Sequence, residues 1–294
     1  MTLSSLAEKV RVDTTSGASE ILISILRDLN RHIRDVDGLG RHELKEFAFS
    51  LHRAKPSMAP IFNLSNSILC LIEDHPQETI PSSLLRSLFT RILKREEAAN
   101  ASIATVANRM IDASRIVTIS YSSTVVSAIK AMGENRKLSV MVAESEPGGE
   151  GRNTADIIAS SGIETELIPD SIVASRSRDA DAAIVGADAV TPEGVVNKVG
   201  TYALALATRN HRIPAYVLCS QSKLSPMAFT DVHMTGRRLG KNLCRMEQTF
   251  ESTPLDLFSR VLTDAGVVRP VNLRSELKDY RKALAWQVSP LSAK

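Results

Sequence analysis

The sequence contains little cysteine and no long apolar run. Its three cysteines, Cys70, Cys219 and Cys244, lie far apart without C-x-x-C spacing, which argues against a disulfide framework and a cysteine-rich zinc site. This usage is typical of a reducing compartment. The start of the sequence lacks a basic-then-apolar signal pattern, and no apolar run approaches the roughly 18 residues that span a bilayer. We therefore expect a cytoplasmic protein with no membrane partner.

A strong excess of one charge is also missing. There are 36 Lys and Arg residues against 33 Asp and Glu residues, which leaves a net charge of +3, too small for a general binder of phosphate backbones. No direct nucleic-acid partner is therefore expected. His211 and His233 have no partner at metal-ligand spacing, and no segment resembles a P-loop. We expect neither a metal nor a cofactor.

The length and the apolar pattern predict two domains. A chain of 294 residues with 43% hydrophobic and 23% charged residues suits two globular domains of ordinary size. Up to about residue 110, apolar residues recur at spacings of three and four, which predicts helices. The last of these helices is predicted from Ser82 to about Met110. Residues 1–110 are therefore predicted to form a helical N-terminal domain.

From residue 111 onward, short apolar runs of β type alternate with segments of helical length. The runs are RIVTIS, KLSVMVAES, TELIP, AAIVGAD and PAYVLCS. Such alternation predicts an α/β domain over residues 111–294, with a Rossmann-like, doubly wound parallel sheet. Ligands of such sheets lie over the carboxyl ends of the strands. The candidate site residues are therefore those that follow the runs, namely 120–123, 144–152, Asp188 and 219–223.

The strongest candidate is residues 185–207, VGADAVTPEGVVNKVGTYALALA. A strand is predicted to end at Asp188, whose carboxylate can act as a general base if burial raises its pKa. The alternative is that Asp188 only accepts backbone N–H bonds in a turn. Lys198, with the amides of Gly200 and Thr201 at a helix N-terminus, can hold a phosphate. A solvated lysine is the alternative for Lys198.

This segment resembles the GAD-x5-G-x2-NK-x-GT motif of a superfamily with two kinds of members. One kind comprises methylthioribose-1-phosphate isomerase and ribose-1,5-bisphosphate isomerase. The other comprises the alpha, beta and delta regulatory subunits of eukaryotic translation initiation factor two B. The resemblance covers most of the chain and implies a helical N-terminal domain followed by a Rossmann-like domain that dimerises. The other matching motifs, in order, are TSGASE, KPS with Asn63 to Asn66, TISYSSTVV, AESEPGGEGR and FESTPLDLFSRVLTDAGVVRP.

The chain departs from the isomerases at residues that they use for chemistry. The isomerases carry a T-H-C motif after the first strand of this domain, and its cysteine is proposed to transfer a proton together with the aspartate. Here Ile119 and Ser120 replace the histidine and the cysteine, and an unactivated hydroxyl gives up its proton far less readily than a thiol. If the chain is an isomerase, Asp188 and Ser120 are its catalytic residues. Cys219, at the end of PAYVLCS, is either a substitute thiol or a small apolar filler.

The resemblance also implies a set of ligand-binding residues. Ser16 replaces an isomerase arginine before Gly-Ala, and Lys55 replaces the arginine of Arg-Pro, which keeps the positive charge but loses bidentate geometry. Arg152, in the loop GGEGR, either meets a sugar phosphate or belongs to a plain turn. The implied ligand-binding set is Ser16, Gly17, Ala18, Lys55, Ser122, Arg152, Asn197, Lys198 and Gly200.

Other segments resemble the alpha regulatory subunit, among them Tyr121-Ser122, the stretch 144–147 and TDAGVVRP. Asp188, in contrast, is the isomerase-type residue. The favoured interpretation is an alpha-like protein of translation initiation that binds a phosphorylated sugar or nucleotide in a regulatory role. It implies a homodimer or higher homo-oligomer, with related regulatory subunits as candidate partners. The alternatives are an aldose-ketose isomerase acting on a ribose 1-phosphate derivative, and a scaffold that acts only through its dimer surface.

Two further groups stand outside these motifs. Arg237, Arg238, Lys241 and Arg245 form a basic cluster that either contacts an anionic ligand or partner, or is a solvated face. Tyr280 and Trp286 are predicted to be packing residues of a closing helix.

Overall fold

A computed structural model describes residues 2–13, 16–56, 58–226, 234–270, 272–273, 277 and 280–288. The chain divides into two compact units, residues 1–98 with 279–294, and residues 99–278. These bounds differ from the predicted domains 1–110 and 111–294, because the division falls within a long helix and the C-terminal segment groups with the first unit.

The first unit is built from helices. Two short antiparallel strands, β1 (Gly38–Gly40) and β2 (Thr79–Pro81), pair with each other. The helix that begins at Ser82 ends at Met110, as predicted from its apolar pattern. The helices are α1 (Leu3–Val12), α2 (Ala18–His32), α3 (Arg41–Ala54), α4 (Ala59–Asp74), the first part of α5 (Ser82–Met110), and a last short helix, α10 (Ala285–Val288).

Asn66 attaches the C-terminal segment to the first unit. This residue of α4 is 3% exposed. Its side-chain amide donates to the Arg281 carbonyl over 2.9 Å, and its Oδ1 accepts from the Ala283 amide at 2.9 Å and from the Trp286 indole N–H at 3.0 Å. The Trp286 ring lies 5.3 Å from that of Phe49, which confirms its packing role. Because the Asn66 side chain is buried and bonds to three partners, it holds residues 281–286 against α4.

Replacement of Asn66 by leucine is expected to lower the free energy of unfolding by about 2–4 kcal/mol, because it leaves buried polar partners without hydrogen bonds. Urea denaturation measures the change. Ser67→Ala on the same helix is the control, since it removes a single bond from Ser67 Oγ to the Asn63 carbonyl. The control is expected to cost less than about 1 kcal/mol. An equal effect of both substitutions would contradict this account of the C-terminal segment.

The second unit contains the predicted α/β fold. Strands β3, β4, β5, β6 and β9 coincide with the five apolar runs, and the fold-class prediction is confirmed. The helices after the second part of α5 are α6 (Ser123–Gly133), α7 (Glu150–Ser160), α8 (Asp170–Arg176) and α9 (Thr201–His211). The strands are β3 (Arg115–Ile119), β4 (Ser139–Ala143), β5 (Glu164–Ile168), β6 (Ala182–Val185), β7 (Ala189–Val190), β8 (Val195–Lys198), β9 (Ala215–Leu218), β10 (Met234–Gly240), β11 (Leu243–Gln248), β12 (Phe250–Thr253), β13 (Arg260–Thr263) and β14 (Gly266–Val268).

Seven strands form the main sheet in the order β14-β13-β9-β6-β3-β4-β5. All neighbours are parallel except β13 and β14. From β3 the chain proceeds to β4 and β5 on one side, and then returns to β6, β9 and β13 on the other. The strand order therefore reverses between β3 and β6, and such a switch point leaves a crevice at the carboxyl ends of the two strands.

The sheet is buried on both faces. Ile116 of β3 belongs to one apolar cluster together with residues of α5, α6 and α7, whereas its neighbour Val117 belongs to a second cluster together with residues of α8 and α9. Successive side chains on a strand point to opposite faces. This arrangement explains why the strand sequences are almost continuously apolar.

In the described part of the second unit, two smaller sheets accompany the main one, and the sequence patterns do not predict them. One joins β7, β8 and β12, with β8 in the middle. The other is a hairpin of β10 and β11, and it carries the basic cluster of Arg237, Arg238, Lys241 and Arg245, all exposed. The exposure agrees with a solvated basic face.

Candidate functional site

The candidate site lies at the switch point between β3 and β6. The loops that follow these strands approach closely, since a Cβ built on Gly186 would lie 2.7 Å from Ser122 Oγ. A Cβ built on Gly200 would lie 2.7 Å from Ile119 Cδ1. The absence of side chains on these two glycines therefore lets the segments around Ser120, Asp188 and Lys198 meet at one edge of the sheet.

Asp188 follows β6 at this edge. Its backbone amide donates to the Val196 carbonyl over 2.8 Å, which fixes the turn into β7. Within the described residues, no hydrogen bond or ion pair to its carboxylate is found. The alternative in which this carboxylate only caps backbone N–H groups is therefore wrong. Burial raises the pKa of Asp188, and the positive charge of Lys223 acts in the opposite direction.

Lys223 is the last residue of the candidate stretch 219–223, and the sequence patterns predict no particular role for it. It ends a short 3-10 helix, Gln221–Lys223, directly after β9, the strand next to β6. Its side chain is only 8% exposed. In the described part of the chain, no ion pair or hydrogen bond joins its ammonium to Asp188, although the two charges interact. Because no hydrogen bond within the described residues joins the carboxylate of Asp188 to the ammonium of Lys223, both groups are available to a polar ligand.

Ser120 follows β3 in the left-handed backbone region, with φ of 65°. Its amide donates to Ser145 Oγ over 2.7 Å, and its carbonyl accepts from Thr154 Oγ1 at 2.8 Å. Ser145, fully buried after β4, donates its own amide to Asp170 Oδ1 over 2.7 Å. A left-handed conformation of a residue other than glycine persists only where its surroundings fix it. These bonds connect the carboxyl ends of three neighbouring strands and hold the backbone of Ser120 in place.

Lys198, at the end of β8, is 2% exposed, so the alternative of a solvated lysine is wrong. Its ammonium already has partners. It donates to the Pro147 carbonyl and lies 3.0 Å from Oε1 and 2.8 Å from Oε2 of Glu150. The loop that begins α7 therefore covers the cation that was predicted to bind a phosphate.

The other predicted anion-binding groups of this unit are also occupied. Arg152 lies 2.8 Å from Glu146 Oε1 and 3.3 Å from Glu144 Oε1, and it is half-exposed. At the N-terminus of α9, the amide of Tyr202 donates to Glu251 Oε1 over 2.7 Å. Carboxylates of the chain thus occupy positions at which an anionic ligand would be stabilised.

Asn197, Gly200 and Ser122 shape the backbone of the site. Asn197 Nδ2 donates to Thr201 Oγ1 over 2.9 Å, and Gly200, with φ of 98°, forms the N-terminal cap of α9. Ser122 Oγ accepts a long hydrogen bond of 3.4 Å from the Val125 amide at the start of α6. All three residues lie at the same edge of the sheet as Asp188.

Ser16, Gly17, Ala18 and Lys55 lie in the first unit. Gly17 caps α2, and its amide donates to Glu20 Oε2 over 3.0 Å. Lys55 Nζ donates to the Asp13 carbonyl over 2.6 Å, and Asp13 Oδ1 accepts from the Ser16 amide at 2.9 Å. Within this unit, Lys55 is thus close to the segment that begins α2.

Neither cysteine of the second unit, Cys219 or Cys244, replaces the missing thiol. Cys219 is fully buried in the apolar cluster beneath α8 and α9, so it is a core residue. Cys244 is exposed on β11, and Cys70 belongs to α4 of the first unit. Among the described residues, no group of three metal-ligating side chains is found. In the same part of the chain, no helix has both the length and the apolar character required to cross a membrane.

Known proteins resemble this chain over most of its length. The model of the initiation factor 2 subunit family matches residues 14–270. A translation initiation factor eIF-2B subunit 2-like protein of Pyrococcus horikoshii is 36% identical over 223 residues, covering 74% of this chain and 78% of that protein. The ribose 1,5-bisphosphate isomerase of Archaeoglobus fulgidus is 27% identical over 279 residues, covering 90% and 88%.

A solved structure gives the same result for the fold. The translation initiation factor eIF-2B of Pyrococcus horikoshii OT3 superposes with a TM-score of 0.78 at 30% identity, covering 92% of this chain and 98% of that chain. Relatives with initiation-factor names and relatives with isomerase names thus share this sequence pattern. The family match, which extends over most of the chain, confirms the resemblance inferred from the motifs: the chain belongs to the initiation factor 2 subunit family.

Proposed function

We propose that the chain binds a phosphorylated sugar or nucleotide at the switch point, in a regulatory role and without turning it over. The observation that carries the proposal is the pair of Asp188 and Lys223. The two residues follow the adjacent strands β6 and β9 at the carboxyl edge of the sheet, their opposite charges interact, and within the described residues no hydrogen bond or ion pair joins them. A carboxylate accepts the hydroxyls of a sugar, and an ammonium binds a phosphate.

The absence of turnover follows from the chemistry of Ser120. Proton transfer between adjacent carbons needs an acid and a base whose pKa values lie near the working pH. Burial raises the pKa of Asp188 toward this range. Ser120 does not suit this task, since the pKa of a serine hydroxyl lies far above neutrality, and the described cysteines lie elsewhere. The site therefore retains one member of the acid–base pair.

The second candidate function is an aldose-ketose isomerase acting on a ribose 1-phosphate derivative. The raised pKa of Asp188 is the observation that favours it. In this alternative a water or Ser120 replaces the thiol. Self-association, contact with related regulatory subunits and a cytoplasmic location remain predictions under either function.

The test is a ligand screen with product analysis. The purified protein is titrated with ribose 1,5-bisphosphate, methylthioribose 1-phosphate and nucleoside monophosphates, while thermal unfolding is followed. A ligand at a hundredfold its Kd adds about 2.7 kcal/mol to stability. We expect a saturable shift with at least one compound, recovered unchanged by NMR. Conversion to a ketose would instead establish the isomerase. If no compound shifts the thermal unfolding, the interpretation as a scaffold is favoured.

A further inference from the structure

The loop 146–150 encloses the ammonium of Lys198. Its carbonyl at Pro147 and both carboxylate oxygens of Glu150 surround this one cation. Lys198 is buried by this arrangement, whereas the Glu150 side chain is 40% exposed. The lysine is thus fixed, and the glutamate is the partner that is able to move away.

The backbone of the loop is shaped for this contact. Gly148 and Gly149 both have positive φ, 113° and 69°. A Cβ on Gly148 would lie 2.6 Å from Glu150 Oε1, so a residue with a side chain would push the carboxylate away from Lys198. Glycine at this position therefore allows Glu150 to fold back over the loop.

A neighbouring ion pair holds the loop from its other side. Arg152 lies 2.8 Å from Glu146 and 3.3 Å from Glu144. Glu144 and Glu146 thereby neutralise Arg152, and Glu150 neutralises Lys198. A phosphate that approaches this edge meets carboxylates at the positions where it needs positive charge.

We propose that Glu150 is an internal counter-ion that competes with the phosphate of the ligand for Lys198. Binding then requires Glu150 to leave, and the affinity of the site is set by this competition. A ligand with a dianionic phosphate displaces Glu150 more readily than one with a single negative charge. The inference rests on the proposed function, because it assumes that a phosphorylated ligand enters this site.

The test compares Glu150→Gln with the wild type by isothermal titration calorimetry, with ribose 1,5-bisphosphate and inorganic phosphate as probes. Glutamine keeps the size of the side chain and removes its charge. We expect E150Q to bind ribose 1,5-bisphosphate at least about tenfold more tightly, because the internal competitor is weakened. Lys198→Met in the E150Q background is expected to abolish that gain.

Asp156→Asn is the matched control. Asp156 is exposed on the same helix, α7, so D156N makes the same change in net charge without any change at Lys198. Its affinity is expected to stay within about twofold of the wild type, since exposed charges are screened. If E150Q gains no more than D156N, Glu150 does not compete with the ligand.

The outcomes separate this inference from the proposed function. Wild-type binding with equal or weaker binding by E150Q overturns the competition and leaves the function in place. Binding by E150Q alone supports both. If neither protein binds any probe, the proposed function fails and the inference fails with it.

Discussion

Lys223→Met is expected to weaken the binding of ribose 1,5-bisphosphate by about thirtyfold or more, because removal of one buried charged partner of a ligand costs about 2–5 kcal/mol. Lys223 is 8% exposed and its charge interacts with that of Asp188, although in the described part of the chain no hydrogen bond or ion pair joins the two side chains. Isothermal titration calorimetry of the two proteins measures the loss. Lys130→Met, which removes an exposed lysine of α6, is the control and is expected to leave the Kd within about twofold.

The effect of Lys223→Met on stability is also expected to depend on pH, in a direction that follows from the pKa of Asp188. The charge of Lys223 lowers the pKa of Asp188, while burial raises it. Without Lys223, the pKa of Asp188 rises further above its unfolded value of about 3.9. A carboxyl with a raised folded pKa binds its proton more tightly in the folded state, so stability falls as the pH increases from the unfolded pKa through the folded one.

The stability deficit of K223M relative to the wild type is therefore expected to be small near pH 4 and larger at about pH 7. Urea denaturation at both pH values measures it. The double variant D188N/K223M removes the uncompensated charge and is expected to recover most of the stability but none of the affinity. A deficit that is independent of pH would show that Lys223 does not act through the Asp188 carboxylate.

Ser120→Cys is expected to convert a binding protein into a slow isomerase. A thiol ionises near neutral pH, and general acid–base catalysis contributes about 10²–10⁴ in rate. The backbone of residue 120 is held by bonds to Ser145 and Thr154, so the sulfur takes the place of the hydroxyl oxygen. NMR of ribose 1,5-bisphosphate incubated with S120C is expected to show ketose, whereas the wild type gives none above the blank.

Two variants make this expectation specific. Asp188→Asn in the S120C background is expected to abolish the new activity, since it removes the base. Ser122→Cys places a thiol two residues away, where the native hydroxyl accepts from the Val125 amide, and it is expected to be inactive. If S120C binds the ligand and leaves it unchanged, the missing thiol is not what separates this chain from the isomerases. Turnover by the wild type would favour the second candidate function.

The parts of the fold that depend on local pattern were predictable from the sequence. The five apolar runs predicted β3, β4, β5, β6 and β9 because both faces of the sheet are covered. β13 and β14 were missed. Their segment, 260–268, was interpreted only as part of a family motif, and the antiparallel pairing of these two strands at the sheet edge does not follow a βαβ pattern.

The contacts that define the site join residues that are far apart in the sequence, and sequence spacing does not predict such contacts. Asp188 and the stretch 219–223 are both candidates because each follows a strand, but Lys223 lies 35 positions after Asp188, and the two become neighbours only because β6 and β9 are adjacent. A lone lysine in sequence is most often solvated. The pairing of Lys198 with Glu150 spans 48 residues, and the bond from Asn66 to Arg281 spans 215. Such pairs are decided by topology and not by periodicity.

The position of residues 281–286 also bears on how the chain folds during its synthesis. These residues complete the contacts of Asn66 in the first unit, yet they are synthesised after every strand of the second unit. Domains generally fold as their residues emerge. The strands of the main sheet can therefore pair before Trp286 is synthesised, whereas the helical unit, although it begins the chain, cannot complete the contacts of Asn66 until residues 281–286 have been made.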